Sequence, residues 1–354
     1  MRILVVRLRA IGDVIHALPV ACALRDHMPG VFIGWLAEDR ASEVLIGHPA
    51  INEIITVPRQ WARSLHDILR LRRQLRGLRF DAVLDLQGVR NSVLAALLSG
   101  APKRLGFAGM AVHDLRRLIS NPAHLHAISR AIARSLHFEP VCARSEHIVD
   151  RYLEILTPLG MSAGKARFGL PESEQDAQVV ARYLSTAGIL EKLYAVINPG
   201  GPASRRWPPE RFAAVATYLG ASRGLRNVVL PGVGDEERQA AQAVMGGAEA
   251  HVTLAPPLTL GQLGALARRS RIFLSGDTGP LHLAAAVGAP CIGLLAHDLA
   301  GRFRPYGSAN VVVRGTPVPI HVLRHNGLGE DAMRAIGVDA VCQACAEILA
   351  RSEG

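Results

Sequence analysis

Polar and charged residues follow short apolar runs at three places in the chain, and each place could support chemistry. At the first, Asp13 comes directly after the largely apolar run "RILVVRLRAIG", where a buried strand is expected to pass into a helix. A carboxylate at that position can cap the helix, or it can face a ligand and remove a proton from it. The residue types alone leave both roles open.

The second place is the stretch "NPGGPASRRWPPERF", which follows the apolar run "YAVI". Gly200 and Gly201 have no side chain, so their backbone N–H groups can approach a ligand closely. Ser204 adds a hydroxyl donor, and Arg205 and Arg206 add two cations that can bind phosphate with paired hydrogen bonds. This composition predicts a phosphate site just before a helix that starts with proline.

The third place is "SGDTGPLHLAAAVGAP", where Asp277, Thr278 and Gly279 lie between an expected strand and a helix that opens at Pro280. The start of that helix offers free N–H donors, and His282 lies in its first turn. Neither this stretch nor the previous one is a Walker loop or a G-x-G-x-x-G fingerprint. Ordinary strand-to-helix turns, with Asp277 as a cap, explain the spacing equally well.

Short apolar runs alternate with amphipathic stretches along the whole sequence, which is typical of parallel sheets covered by helices. The pattern restarts at about residue 169, within "MSAGKARFGLPES". We therefore predict an α/β protein with two domains, residues 1–168 and 169–330, followed by a segment, residues 331–354. Ligands bind such sheets at the carboxyl ends of their strands, so the ligand is expected between the two domains.

Composition narrows the possible partners. Hydrophobic residues make up 49% of the 354 residues, which suits two packed cores, and the formal net charge of +10 favours anionic partners. Aromatic residues make up only 5%, and no zinc-finger or stacking-aromatic RNA motif is present, so nucleic acid is the weaker choice of partner.

The same composition indicates a cytoplasmic protein. No apolar run approaches the roughly 20 residues that span a bilayer, and the first residues are predicted to form a strand, not a signal peptide. The five cysteines are scattered, which suits a reducing compartment. Cys342 and Cys345 form a single C-x-x-C pair, which we interpret as helix packing because no second pair completes a metal site.

Four stretches, in the order "MRILVVRLRAIGDVIHALP", "FDAVLDLQG", "NPGGPASRRWPPERF" and "SGDTGPLHLAAAVGAP", resemble the ADP-heptose:lipopolysaccharide heptosyltransferases of glycosyltransferase family 9. The resemblance covers residues 1 to about 341, and "GDVIHALP" is more similar to the heptosyltransferase I branch than to the II branch. It implies a GT-B architecture of two Rossmann-like domains whose parallel sheets face a central cleft. The acceptor would bind the first domain and the nucleotide sugar the second, and the last helix would pack back towards the first.

The resemblance also implies a reaction: inverting transfer of a heptose from ADP-heptose to the inner core of lipopolysaccharide, onto Kdo or the first heptose. Asp13 matches the general base of the family pattern, and Gly12 and His16 beside it become candidate acceptor contacts. A histidine at such a position is more often a packing or solvent-facing residue. No metal or other cofactor is expected. Another GT-B nucleotide-sugar enzyme, with a different donor or acceptor or an epimerase activity, and a non-catalytic binder of anionic ligands remain alternatives.

For the donor, the resemblance places the glycines and the hydroxyl of both loops around the phosphates, with Asp277 contacting the sugar or ordering its turn. The phosphate set is Gly200, Gly201, Thr278 and Gly279, with Ser204, Arg206 and His282 as further donor contacts. The family pattern has a lysine two residues before the tryptophan of its "WP" element, whereas this chain has Arg205. Asp235 or Glu236 could bind the ribose hydroxyls or could simply favour a helix N-terminus.

The segment 58–80, "PRQWARSLHDILRLRRQLRGLRF", is strongly basic. We predict a helix with one apolar stripe formed by Trp61, Leu65, Ile68, Leu69, Leu75 and Leu78, and with arginines on its flanks at positions 63, 70, 73 and 76. A sheet-covering helix with a solvated charged face is one interpretation. The other is a peripheral contact with the anionic inner membrane from the cytoplasmic side, made by this helix or by Arg116, Arg117, Arg130 and Arg134, which would gather a phosphorylated glycolipid acceptor.

Overall fold

The structure is a computed structural model that describes residues 1–107, 138–162, 164–323 and 327–351. Arg116, Arg117, Arg130 and Arg134, which were considered for a membrane contact, lie outside the described residues. The chain divides into two compact units, Met1–Pro171 and Glu172–Gly354. The boundary predicted from composition, after residue 168, falls in the same segment.

The first unit alternates strands and helices, as the apolar runs predict. Its strands are β1 (Arg2–Val6), β2 (Phe32–Glu38), β3 (Glu53–Val57), β4 (Ala82–Asp85), β5 (Lys103–Phe107) and β6 (Glu139–Val141). Its described helices are α1 (Ile11–His27), α2 (Asp39–Ser42), α3 (Leu65–Gly77), α4 (Arg90–Ser99) and α5 (Ile148–Leu153). The sheet is parallel, in the order β3-β2-β1-β4-β5-β6.

The order of this sheet reverses direction at β1, which lies between β2 and β4. The loops that follow β1 and β4 therefore diverge and leave a crevice at the carboxyl edge of the sheet. β1 itself is apolar because both faces of a parallel sheet are covered: Ile3, Leu4, Val5 and Val6 are fully buried. Helix α1 continues through Pro19 to His27.

The second unit repeats this plan. Its strands are β7 (Tyr194–Asn198), β8 (Arg226–Val229), β9 (Val252–Leu254), β10 (Ile272–Gly276), β11 (Cys291–His297) and β12 (Val311–Val318). Its helices are α6 (Glu174–Thr186), α7 (Pro209–Arg223), α8 (Asp235–Gly247), α9 (Leu260–Arg269), α10 (Gly279–Ala286), α11 (Ala300–Phe303), α12 (Leu328–Arg334) and α13 (Val338–Arg351). The parallel order β12-β11-β10-β7-β8-β9 reverses between β10 and β7, so the two glycine-containing loops share one switch point.

The last helix, α13, belongs to the core of the second unit. Val341, Ala344, Cys345 and Ile348 are buried there together with residues of α7 such as Phe212. The expectation that residues 331–354 pack back towards the first domain stays a prediction. Burial raises the pKa of the Cys345 thiol to about 12, as fits a packing role for this cysteine.

The basic segment contains α3, and its apolar stripe is the predicted one in part, since Ile68 and Leu78 pack partly buried against the same core as Trp61 and Leu75. Trp61, Leu71 and Leu75 are buried, whereas Leu65 and Leu69 expose 71% and 48% of their surface. The helix begins only at Leu65, after the cap of Ser64, and its inner side packs on α4. With about 3.6 residues per turn, Leu65 and Leu69 then fall well away from the buried pair. None of the helices in the described ranges is long and apolar enough to cross a membrane.

Candidate functional site

The candidate base lies at the switch point of the first unit, in the first turn of α1. Asp13 Oδ2 accepts a hydrogen bond from the backbone N–H of Ala10 at 3.0 Å and lies 2.9 Å from Nη2 of Arg7. The side chain of Asp13 is 32% exposed. Asp13 therefore does close the start of the helix, and because both contacts use Oδ2, Oδ1 is left for a ligand. Capping and proton removal are compatible in this geometry.

Arg7 holds this carboxylate and was not predicted as a site residue. It follows β1, and its side chain is only 10% exposed. Nη1 donates to the carbonyl of Leu86 at 3.1 Å, and the guanidinium carbon lies 5.6 Å from the ring centre of Tyr152. A buried cation requires an anionic or polar partner, so an arginine directly after the apolar run of β1 was the available signal.

Asp85, at the end of β4, orders the neighbouring loop. Its carboxylate accepts from the N–H groups of Gln87 and Gly88, both at 2.9 Å, and from the hydroxyl of Ser92 at 3.0 Å. Burial raises the pKa of Asp85, although these hydrogen bonds oppose the rise. The side chain of Gln87 then accepts from Leu8 N at 2.7 Å, which fixes this loop against the one that carries Asp13.

The two candidate acceptor contacts lie in the interior. Gly12 is buried, and His16 is 3% exposed with its ring centre 6.1 Å from that of His147 in an edge-to-face contact. This environment fits the alternative of a packing histidine. A direct contact of Gly12 or His16 with an acceptor stays a prediction.

In the second unit, the loops after β7 and β10 are joined by hydrogen bonds. Asn198 donates to the hydroxyls of Ser275 at 3.0 Å and Thr278 at 3.1 Å. Gly201 has a φ of 115°, and a Cβ on it would lie 2.8 Å from Cγ2 of Thr278. Only glycine fits there, because both the backbone conformation and the close approach exclude a side chain. Thr278 and Gly201 thus lie together, as the sequence predicts, although the hydroxyl of Thr278 is already hydrogen-bonded within the protein.

Hydrogen bonds from neighbouring side chains hold both the N–H and the carbonyl of Gly201. Its N–H donates to Glu237 Oε1 at 2.9 Å, and its carbonyl accepts from Nε and Nη2 of Arg206 at 3.0 and 2.7 Å. Arg206 also pairs with Glu236 at 3.1 Å. Glu237 was missed by sequence reasoning, and Asp235 instead points into solvent, 88% exposed, and pairs with Arg238. A carboxylate already binds one N–H that was predicted to face a phosphate.

Asp277 is the centre of the most buried charged cluster in this unit. Its carboxylate lies 2.7 Å from Nη1 of Arg205, 3.1 Å from Nε2 of His282 and 3.4 Å from Nε2 of His297, and it is 9% exposed. Burial opposes its ionisation, but the contacts with His282 and His297 and the charge of Arg205 outweigh burial and hold the pKa of Asp277 well below its usual range. Asp277 thus orders the cluster, in line with one of its two predicted roles.

His297 is the one residue of this cluster that sequence reasoning missed. It ends β11, the strand next to β10, and is 3% exposed. The side chain of Arg205 is more open, at 28%. Among the described residues it bonds through Nη1, to Asp277, so its other N–H groups can donate to an anion. The backbone of Arg205 passes close to Gly276. A Cβ on Gly276 would lie 2.8 Å from the carbonyl oxygen of Arg205.

Asp277→Asn is expected to lower the free energy of unfolding at pH 7. A carboxyl whose pKa is depressed in the folded state stabilises the protein above its unfolded pKa of about 3.9, and this contribution is lost as the pH falls through the folded pKa. The difference between parent and variant should therefore shrink below about pH 4. Urea unfolding between pH 7 and pH 3 measures it. Asp235→Asn, at an exposed carboxylate, is the matched control, and a difference for Asp277→Asn that stays constant with pH would contradict the assignment.

Two parallel six-stranded sheets, each with its candidate residues at a switch point, define an α/β protein of the GT-B class. Solved structures agree. A glycosyltransferase family 9 protein from Veillonella parvula DSM 2008 superimposes with a TM-score of 0.81 at 22% identity, covering 99% of this chain and 97% of that one. The structure described as E. coli heptosyltransferase WaaC with ADP gives a TM-score of 0.73 at 23% identity, covering 98% and 100%.

Sequence comparison identifies the family as well as the fold. The sequence model of glycosyltransferase family 9 (heptosyltransferase) matches residues 68–320, and the chain belongs to this family. Lipopolysaccharide heptosyltransferase 1 of Pseudomonas aeruginosa is 26% identical over 318 residues, which cover 88% of this chain and 83% of that protein. The predicted family, α/β GT-B fold and glycosyltransferase class are confirmed.

Proposed function

We propose that this glycosyltransferase moves a heptose from ADP-heptose onto the inner core of lipopolysaccharide, at Kdo or the first heptose, with inversion at the anomeric carbon. The observation that carries the proposal is the carboxylate of Asp13, fixed through Oδ2 by Arg7 and Ala10 and partly exposed at the switch point of the first sheet. An inverting transferase needs one such base and no covalent intermediate on the enzyme.

In the proposed reaction, an acceptor hydroxyl gives its proton to Oδ1 of Asp13 as its oxygen bonds to the anomeric carbon. The bond between that carbon and the diphosphate breaks on the opposite face, and ADP leaves with the electron pair. Arg7 keeps the carboxylate in place between turnovers. The loop after Asp85 supports this arrangement because the carbonyl of Leu86 accepts from Arg7 and the side chain of Gln87 accepts from Leu8 N.

The donor diphosphate gains negative charge as the bond breaks, so preorganised cations and N–H groups should stabilise it. Arg205 is the best placed cation, since Asp277 orients it and leaves further N–H groups available. Gly200, Ser204 and Gly279 lie on the same two loops and are proposed to complete the phosphate site. Arg206 is tied to Gly201 and Glu236, which makes its proposed role the shaping of the loop.

We propose no metal for this reaction, because Arg205 and the loop N–H groups supply the positive charge that the leaving group needs. Among the described residues, no group of His, Cys, Asp or Glu side chains is arranged to hold a metal ion. The acceptor is proposed to be a phosphorylated glycolipid, so the enzyme would work as a peripheral protein at the cytoplasmic face of the inner membrane.

ADP is expected to raise the melting temperature more than UDP or GDP does at the same concentration. A ligand that binds only the native state stabilises it by about 2.7 kcal/mol at 100 times its Kd. Thermal unfolding with each nucleotide, with and without EDTA, measures the effect, and EDTA should not change it. An equal or larger shift with UDP would favour another GT-B nucleotide-sugar enzyme, and no shift with any nucleotide would favour a non-catalytic binder.

A further inference from the structure

Two leucines and three arginines share the solvent-facing side of α3. Leu65 and Leu69 are exposed at the start of the helix, and Arg72, Arg73 and Arg76 are exposed in its second half. With about 3.6 residues per turn, these five residues fall within about 100° of the helix circumference. We call them the outer face of α3.

The opposite side of α3 anchors the helix, so the outer face has a fixed orientation. Leu71 and Leu75 are buried in the core of the first unit together with Trp61 and Phe80. Ser64 caps the helix, accepting from Asp67 N at 3.2 Å. Because the outer face contributes nothing to this core, substitutions there should leave the fold intact.

The surroundings of the outer face are strongly positive. Residues 58–80 contain seven arginines and one acidic residue, Asp67. Asp67 pairs with Arg70 at 3.3 Å, and Arg70 lies beside the outer face and not on it. No acidic residue of this segment therefore offsets the charges of Arg72, Arg73 and Arg76.

A face that combines exposed aliphatic side chains with clustered arginines matches the interface of an anionic bilayer. The leucines can enter the boundary between headgroups and acyl chains, and the arginines can bind lipid phosphates. RNA would favour exposed aromatic side chains for stacking, and the only tryptophan of the segment, Trp61, is fully buried. We propose that the outer face of α3 docks on an anionic phospholipid membrane. This deepens the proposed function by naming the membrane-contacting surface, and it requires neither donor nor acceptor.

The experiment is co-sedimentation of the full chain with phosphatidylcholine vesicles and with vesicles that also contain phosphatidylglycerol. The parent should bind the anionic vesicles preferentially, and binding should weaken with salt because the interaction is electrostatic. Arg72→Gln with Arg73→Gln and Arg76→Gln should lower the affinity about tenfold or more. Leu65→Ser with Leu69→Ser should also lower it about tenfold and should remove the binding that survives high salt.

Matched controls come from the second unit. Arg182, Arg223 and Arg334 are also exposed arginines, and Leu190 and Leu193 are exposed leucines, at 68% and 51%. Changing these three arginines to Gln, or these two leucines to Ser, should leave vesicle binding unchanged. Equal binding of the parent to neutral vesicles, unchanged binding after the outer-face substitutions, or release from vesicles by RNA at low concentration would overturn the proposal. Because no sugar nucleotide is present, these results are independent of whether the transfer reaction is correct.

Discussion

Asp13→Asn is expected to lower the turnover number by about 100-fold or more, the usual contribution of a positioned general base. The side-chain amide of asparagine can still accept a hydrogen bond from Ala10, so the start of α1 should keep its closure. What the variant loses is the negative charge and the basic oxygen that would receive the acceptor proton. Steady-state rates with saturating donor and acceptor measure the loss.

Two controls separate this chemistry from a structural effect. The variant leaves Arg7 without its ion-pair partner, so its melting temperature and the shift caused by ADP should be measured beside its rate. Asp26→Asn removes an exposed carboxylate of the same unit, which pairs with Arg167, and should keep near-normal turnover. If Asp13→Asn also keeps near-normal turnover, Asp13 is a cap alone and the base lies elsewhere.

Arg205→Ala is expected to produce the second large loss, about 100-fold or more in kcat, because one preorganised donor to the leaving diphosphate disappears. The alanine also leaves Asp277 with only its two histidine contacts. Arg205→Lys should keep substantial activity, within about tenfold of the parent, since an ammonium still carries the charge but lacks the planar geometry. Initial rates over a range of donor concentrations separate binding of the donor from the chemical step.

Arg223→Ala is the matched control and should leave the rate unchanged, because this exposed arginine donates its hydrogen bonds to the hydroxyl of Tyr218, away from the candidate site residues. Equal activity of the parent, Arg205→Ala and Arg205→Lys would remove Arg205 from the site. The neighbouring Arg206 would then be the residue to test, although its present contacts are with Gly201 and Glu236.

Most strands could be predicted from sequence because both faces of a parallel sheet are buried, which leaves short apolar runs such as β1 and β10. The edge strands β6, β9 and β12 were not predicted. The loops at the carboxyl ends of the predicted strands could be predicted for the same reason, and with them Asp13, Gly201 and Asp277. The partners of these residues could not. His297 meets Asp277 only because β11 lies beside β10, and Glu237 reaches Gly201 from the helix after β8.

A second source of error was the phase of a helix, that is, which of its residues face the core. The apolar stripe of the basic segment was predicted as one continuous helix that includes Trp61, but Trp61–Arg63 form a 3₁₀ turn, Ser64 is extended and the α-helix begins only at Leu65, which shifts the phase. Leu65 and Leu69 thus became exposed, against prediction. The apolar side of the last helix packs in the core beside α7, and its expected packing towards the first domain stays a prediction. Periodicity shows that a helix has a buried side but not which neighbour covers it.

The most direct test of the proposed function is the mass of a short Kdo-lipid A acceptor after incubation with the enzyme and ADP-heptose. The acceptor should gain the mass of one heptose residue, with release of one ADP for each transfer and an anomeric configuration opposite to that of the donor. UDP- and GDP-sugars should give no product. An acceptor whose mass stays unchanged while another sugar nucleotide is consumed, or conversion of the donor without any acceptor, would contradict the proposed function.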